Sequence, residues 1–156
     1  MIGLDTTVLL THEIQEATGH EALRAHISMA ALSGDVQFAL TPQVLQEFVH
    51  VATDPRRFKV PLTMDQALER SRFWWESAEV VQCHPGGRAW EQAWAWMEKF
   101  RLGRKRILDT YLAATYHERG INRLATANTM DFAVFGVFEF ESWAQSPTPR
   151  DKTQPP

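Results

Sequence analysis

A single cysteine, Cys83, occurs in 156 residues, which excludes a disulfide framework and a cysteine-rich structural zinc site. Long apolar runs are missing as well; nothing approaches the roughly eighteen consecutive apolar residues of a membrane-spanning helix. Neither sign of charge prevails, since 16 Lys and Arg face 19 Asp and Glu for a net charge of −3. That excludes a globally basic nucleic-acid binder but not a locally basic one. The six histidines form no HExxH or other short zinc-spaced pair. No P-loop, G-x-S-x-G or G-x-G-x-x-G occurs either. With so little cysteine and no signal peptide, a reducing cytoplasm is the expected compartment. What remains, 44% hydrophobic and 22% charged residues, is the profile of one globular domain.

Short β-type runs alternate with longer helical ones. Ile2–Asp5 reads as a strand ending in an acid, followed by helical segments over 8–17 and 19–32, with Gly34 as a stop. Val36–Leu40 reads as a buried strand, and Thr41-Pro42 as the N-cap and first position of a helix that ends at Asp54-Pro55. Thr63 and Gln66 form a capping-box pattern opening a helix to about Ser77, before a short strand at Val80-Val81. Pro85-Gly86-Gly87 breaks the chain. Trp90, Trp94, Met97 and Phe100 then fall at helical spacing and predict a buried stripe. Of the adjacent Trp74 and Trp75, one is expected to be exposed, because neighbours cannot face the same core. A helix from Ile107 stops at Gly120, and Arg123–Thr126 and Val137–Phe140 read as the last strands. Four of the eight prolines fall in 146–156, so residues 144–156 are expected to be a disordered tail to a domain spanning 1–143. The alternation predicts an α/β fold with a mainly parallel central sheet and helices on both faces. Ligands of such sheets sit outside the carboxyl ends of the strands.

Four acids could converge at that rim. Asp5 ends the first strand, Glu47 lies early in the helix after the second, Asp109 in the first turn of a later helix, and Asp131 just beyond the Leu124–Thr126 strand. Converging carboxylates repel one another, and a hard divalent cation with oxygen ligands relieves that repulsion. Each acid also has an ordinary alternative. Asp5 can cap a helix, Glu47 can be solvated, Asp109 can answer a helix dipole, and Asn128–Asp131 can be a turn or a cap.

In combination these segments resemble a family. Met1-Ile-Gly-Leu-Asp-Thr-Thr-Val-Leu-Leu10, Leu40-Thr-Pro-Gln-Val-Leu-Gln-Glu-Phe-Val49, Arg106-Ile-Leu-Asp-Thr-Tyr-Leu-Ala-Ala114 and Leu124-Ala-Thr-Ala-Asn-Thr-Met-Asp-Phe132 are similar, in order, to the four motifs of PIN-domain proteins, in particular VapC-type ribonuclease toxins. The resemblance spans residues 1 to about 143 and implies a three-layer α/β/α sandwich and a Mg²⁺- or Mn²⁺-dependent endoribonuclease. It implies Asp5 and Asp109 as metal ligands, Glu47 and Asp131 completing the acidic site, and Thr6 and Asn128 in support. It also implies RNA as substrate, a cognate antitoxin and a homodimer as partners. Thr7 stands where many relatives carry Asn or Ser, and Asn128 where some carry an acid.

Local charge suits such a substrate. Lys99–Arg106 packs five basic residues into eight, and Arg56 and Arg57 follow the Glu47 helix. Arg56, Arg57, Arg104, Lys105 and Arg106 are therefore the candidate phosphate contacts, with a solvated charged loop as the alternative. His50, three residues after Glu47, shares its helix face. Two rival readings are a haloacid-dehalogenase-like phosphohydrolase and a non-catalytic binding module on the same fold. The former needs an acid two residues after Asp5, where Thr7 stands.

Overall fold

The computed structural model describes residues 1–142; the expected boundary at 143 and the proline-rich tail lie outside them. Ile2–Leu4 (β1) is buried along its whole length, as is Phe38–Leu40 (β2), which fits strands covered on both faces. With Val80–Gln82 (β3), Arg123–Ala125 (β4) and Glu139–Phe140 (β5) they form a sheet of order β3-β2-β1-β4-β5 in which every pairing is parallel. The predicted strands at 36–40 and 137–140 are shorter than expected. Val36-Gln37 and Val137-Phe138 precede their strands, though the Gln37 carbonyl still accepts the Ile2 amide at 2.9 Å.

Among the described residues seven α-helices make the crossovers: Thr6–Glu13 (α1), His20–Ser33 (α2), Pro42–Ala52 (α3), Met64–Glu76 (α4), Gly87–Lys99 (α5), Ile107–Glu118 (α6) and Thr129–Ala133 (α7). Their mutual packing divides α1–α4 from α5–α7, the two outer layers of the sandwich. The predicted caps form. Thr41 accepts a hydrogen bond from the Val44 amide, both halves of the Thr63–Gln66 box are made, and Gly34 ends α2 in the left-handed conformation. At the end of α1, Glu13 accepts bonds from Trp74 Nε1 at 2.8 Å and from Arg70, and meets His12 Nδ1 at 2.9 Å, tying α1 to α4. Burial alone would raise this carboxyl, but the bonds from His12, Trp74 and Arg70 outweigh it and hold the group at about 2.

The tryptophans depart from expectation. On α5 the inward stripe is Ala89, Ala93 and Trp96, one position off the predicted one, while Trp90 and Trp94 are 40% and 55% exposed. Both stripes have helical spacing. The small alanines allow α5 to lie close against α6, which turns the two bulky rings to the flank, where Trp90 meets Tyr111 edge-on at 4.8 Å. Trp74 is buried, and Trp75 is half-buried against His84 at 5.6 Å rather than exposed; Phe73 is the aromatic of that run that faces solvent. The chain break at Gly86 also has a cause. Glu118, at the end of α6, accepts from the amides of Gly86 and Arg88 at the start of α5, and a Cβ at position 86 would lie 2.3 Å from its carboxylate.

Tyr116 of α6 is fully buried beneath the sheet's carboxyl edge, its hydroxyl 2.7 Å from the Leu4 carbonyl and 3.0 Å from that of Ala39. Its ring lies so close over β1 that a Cβ on Gly3 would come within 2.9 Å of it. Gly3→Ala is expected to cost about 1–3 kcal/mol by overpacking, read as a lower urea midpoint at unchanged slope. An unchanged midpoint would mean that the ring can give way.

Candidate metal centre

A sheet of order 3-2-1-4-5 runs outward from β1 in one direction and then from β4 in the other, leaving a crevice between those two strands at their carboxyl ends. Gly3 pairs with Leu124 and Leu4 with Ala125, so the next residues, Asp5 and Thr126, face each other across that crevice. The Asp5 amide bonds to the Ala125 carbonyl at 3.0 Å, which fixes the backbone beneath the carboxylate.

Asp5 occupies the N-cap position of α1, yet its side chain makes no capping bond. Instead Oδ2 accepts from the hydroxyls of Thr7 and Thr126, both at 2.7 Å. Each hydroxyl spends its one proton on Asp5 and accepts a backbone amide in return, Ala127 to Thr7 and Asn128 to Thr126, both at 2.9 Å. The carboxylate is 4% exposed, and Oδ2 is committed to holding it still. Thr6, the first residue of α1, donates to Glu47 Oε2 at 2.7 Å and so links α1 to α3 through the second acid.

Asp109, in the first turn of α6, titrates near 6 instead of 3.8. Burial is the largest cause, followed by the charge of Asp5; Arg106 opposes the rise, and Asp131 and Glu47 add to it. The four predicted acids therefore share one electrostatic environment. They are not equivalent in contacts. Asp131, on α7, gives its carboxylate to Arg106 Nη1 at 2.8 Å, and Arg106 Nε stands 3.5 Å from Asp109 Oδ2. Asn128 precedes α7, but its side chain makes no cap bond.

Of the predicted phosphate contacts, Arg104 and Lys105 project to solvent from a 3-10 turn, residues 104–106, that leads into α6. Arg106 is turned inward to the acids. Arg56 folds back on Asp54 with bonds of 3.0 and 2.9 Å, which hold that carboxyl near 2, while Arg57 is exposed. Arg56 and Arg57 line a groove of about 720 Å³ that also takes in Glu47, His50, Gln46 and Leu108. The groove leads from the acidic site along α3. Cys83 is buried, and burial pushes its thiol up, away from nucleophilic use.

The donor set is of carboxylate oxygens alone, suited to a hard cation such as Mg²⁺ or Mn²⁺. Burial does most to raise Asp109, and the repulsion from Asp5 that adds to it is what such an ion would remove. Among the described residues no three acids stand in joint reach of one ion as arranged, so holding an ion here would take side-chain adjustment or water. Thr126 is the residue that motif reading passed over. Its signal lay in the strand register, which pairs it with Asp5 once β1 and β4 are taken as parallel neighbours.

The family model for the PIN domain matches residues 2–136. Ribonuclease VapC24 of Mycobacterium tuberculosis is 28% identical over 144 residues, covering 87% of this chain and 92% of the relative. In fold, the chain is similar to the crystal structure of Mycobacterium tuberculosis VapC20, described as a sarcin-ricin loop cleaving toxin. That match has a TM-score of 0.66 at 20% identity over 88% of this chain and 96% of the other. VapBC-1 from nontypeable Haemophilus influenzae gives 0.66 at 15% identity over 93% and 100%.

Proposed function

Because the chain belongs to the PIN-domain family, we propose that it is a metal-dependent endoribonuclease and the toxin of a toxin–antitoxin pair, hydrolysing RNA phosphodiester bonds in the cytoplasm. The observation that carries this reading is the placement of Asp5, Glu47 and Asp109 at the β1–β4 crevice, where burial first, and then the charge of Asp5 with lesser additions from Asp131 and Glu47, raises Asp109 to about 6. A Mg²⁺ or Mn²⁺ ion held by Asp5 and Asp109 would supply an activated water and stabilise charge on the leaving oxygen.

The chain's own residues prepare that chemistry. Thr7 and Thr126 fix Asp5 so that one oxygen remains for the ion. Thr6 orients Glu47 and leaves its Oε1 to accept a proton from a nearby water. Asn128 lies beside Asp5 through its amide bond to Thr126 and supports the same corner. Asp131 adds negative charge to the pocket and holds Arg106 there. Arg57, Arg104 and Lys105, all exposed, meet backbone phosphates on either side of the scissile bond, and Arg56 contributes from its seat on Asp54.

The partners follow from the resemblance to VapC-type toxins. They are a cognate antitoxin, and a second copy of the chain at the flank where Trp90 and Trp94 are exposed. No helix of the described residues is long and apolar enough to cross a membrane. A dehalogenase-like route is disfavoured by Thr7, whose hydroxyl supports Asp5 where that chemistry needs a second acid.

The deciding experiment incubates the purified protein with total RNA and Mg²⁺ or Mn²⁺ and maps the new 5′ ends. Cleavage at discrete positions, abolished by chelation, is the expected result. RNA retention without cleavage in either metal would favour a binding module.

A further inference from the structure

Each terminal nitrogen of Arg106 gives one of its two N–H groups to Asp131, Nη1 donating to Oδ1 at 2.8 Å and Nη2 to the Asp131 carbonyl oxygen, which leaves one N–H on each. The remaining nitrogen, Nε, faces Asp109 but makes no hydrogen bond. Among the described residues it is the one buried side-chain nitrogen or oxygen without a partner. A buried donor left unpaired is costly, and a small rotation of the guanidinium toward Asp109 would satisfy it. The side chain stays where Asp131 grips it. A two-point grip, by side chain and backbone of one residue, fixes the plane of the guanidinium as well as its position. Asp5 is held by threonines and Glu47 by Thr6; Asp131 is hydrogen-bonded to the guanidinium at 2.8 Å, whereas Asp109 meets the same cation only at 3.5 Å and without a hydrogen bond.

We propose that Asp131 is not a metal ligand but a positioning residue, which holds Arg106 beside Asp109 short of a hydrogen bond to that carboxylate, so that Asp109 is left for the ion and the free N–H groups of the guanidinium for the scissile phosphate. The part concerning phosphate rests on the ribonuclease reading; the part concerning the ion does not. A carboxylate already paired with a guanidinium is a poor ligand, and an arginine set against a metal-binding acid is well placed to meet charge that develops on phosphate oxygens.

The test uses the full chain and Mn²⁺ as the probe, with affinity measured by calorimetry. Arg106→Gln is made first, and Asp131→Asn and Asp109→Asn are added to it separately; Arg106→Lys, with Asp131→Asn added to it, replaces this series if the Gln variant fails to fold. Once the guanidinium is gone, Asp131→Asn should alter the Mn²⁺ Kd by less than about threefold, while Asp109→Asn weakens it roughly tenfold or more. A loss from Asp131→Asn as large as that from Asp109→Asn makes Asp131 a ligand and overturns the proposal.

With metal saturating, Asp131→Asn and Arg106→Gln should each raise KM for a short RNA by a similar factor, with the double variant no worse than Arg106→Gln alone. Asp131→Glu, which can still reach the guanidinium, should restore KM. Effects that multiply in the double variant would mean that the two residues act separately, and would also overturn it. If the native protein cleaves no RNA, the ribonuclease reading fails, and the Mn²⁺ series still decides what Asp131 does.

Discussion

Asp5→Asn is expected to lower the rate of RNA cleavage by about a thousandfold or more, with the melting temperature nearly unchanged. Charge stabilisation by a bound metal amounts to several kcal/mol of barrier, and each 1.36 kcal/mol is tenfold in rate. The substitution removes one negative charge from the ion's seat and keeps the shape of the side chain. An asparagine carbonyl at Oδ2 can still accept from Thr7 and Thr126, so the local network survives. Single-turnover cleavage of a defined RNA measures the loss, and a melt checks the fold. A variant that cleaves at the native rate would remove Asp5 from the metal centre.

The second large effect runs in the opposite direction. Asp109→Asn should make the metal-free protein more stable at neutral pH while destroying its response to Mn²⁺. Folding raises the carboxyl from 3.8 to about 6, so between these values the folded protein keeps a proton that the unfolded chain has released. Stability from this group is therefore fully present below about pH 4 and is lost as pH rises through 6. Two pH units correspond to at most about 3 kcal/mol. The side chain is 32% exposed, so solvent screening reduces the figure to the order of 1–2 kcal/mol. In a domain of this size that is a gain of roughly 3–6 °C for the Asn variant in EDTA at pH 7, shrinking toward zero at pH 4. Added Mn²⁺ should then stabilise the native protein and not the variant. Equal melting temperatures in EDTA at both pH values would mean that Asp109 carries no folding penalty, and the convergence of acids would lose its energetic support.

These effects depend on residues that the sequence made visible for different reasons. The acids were legible because a parallel α/β pattern assigns strand ends and helix starts to one rim, and Asp5, Glu47 and Asp109 occupy those places. The caps at Thr41 and Thr63 and the stop at Gly34 were legible because capping is a local bond between near neighbours. What a local pattern cannot carry is the choice between two stripes of equal period. Trp90-Trp94 and Ala89-Ala93-Trp96 differ by one position, and the winner is set by how closely α6 approaches, which belongs to tertiary packing. Thr126 was hidden because its hydroxyl matters only through the register of β4 on β1, and Arg106 was read with its basic neighbours as a phosphate contact, its bond to Asp131 being hidden because that residue lies twenty-five positions further along the chain. The ordinary reading of Asp5 as a helix cap also needed the structure to remove it, since the residue does stand at the cap and withholds its side chain from that use.

Asp5 is the residue directly after the innermost strand, whose side chains are covered on both faces and whose last carbonyl is within reach of the Tyr116 hydroxyl. Segments of this kind open only when the whole molecule does, whereas loops and edge strands fray at far lower cost. The acidic seat thus belongs to the last cooperative unit to melt. Warming should leave cutting intact up to the temperature at which the fold itself is lost, with no range in which a folded chain has a collapsed site.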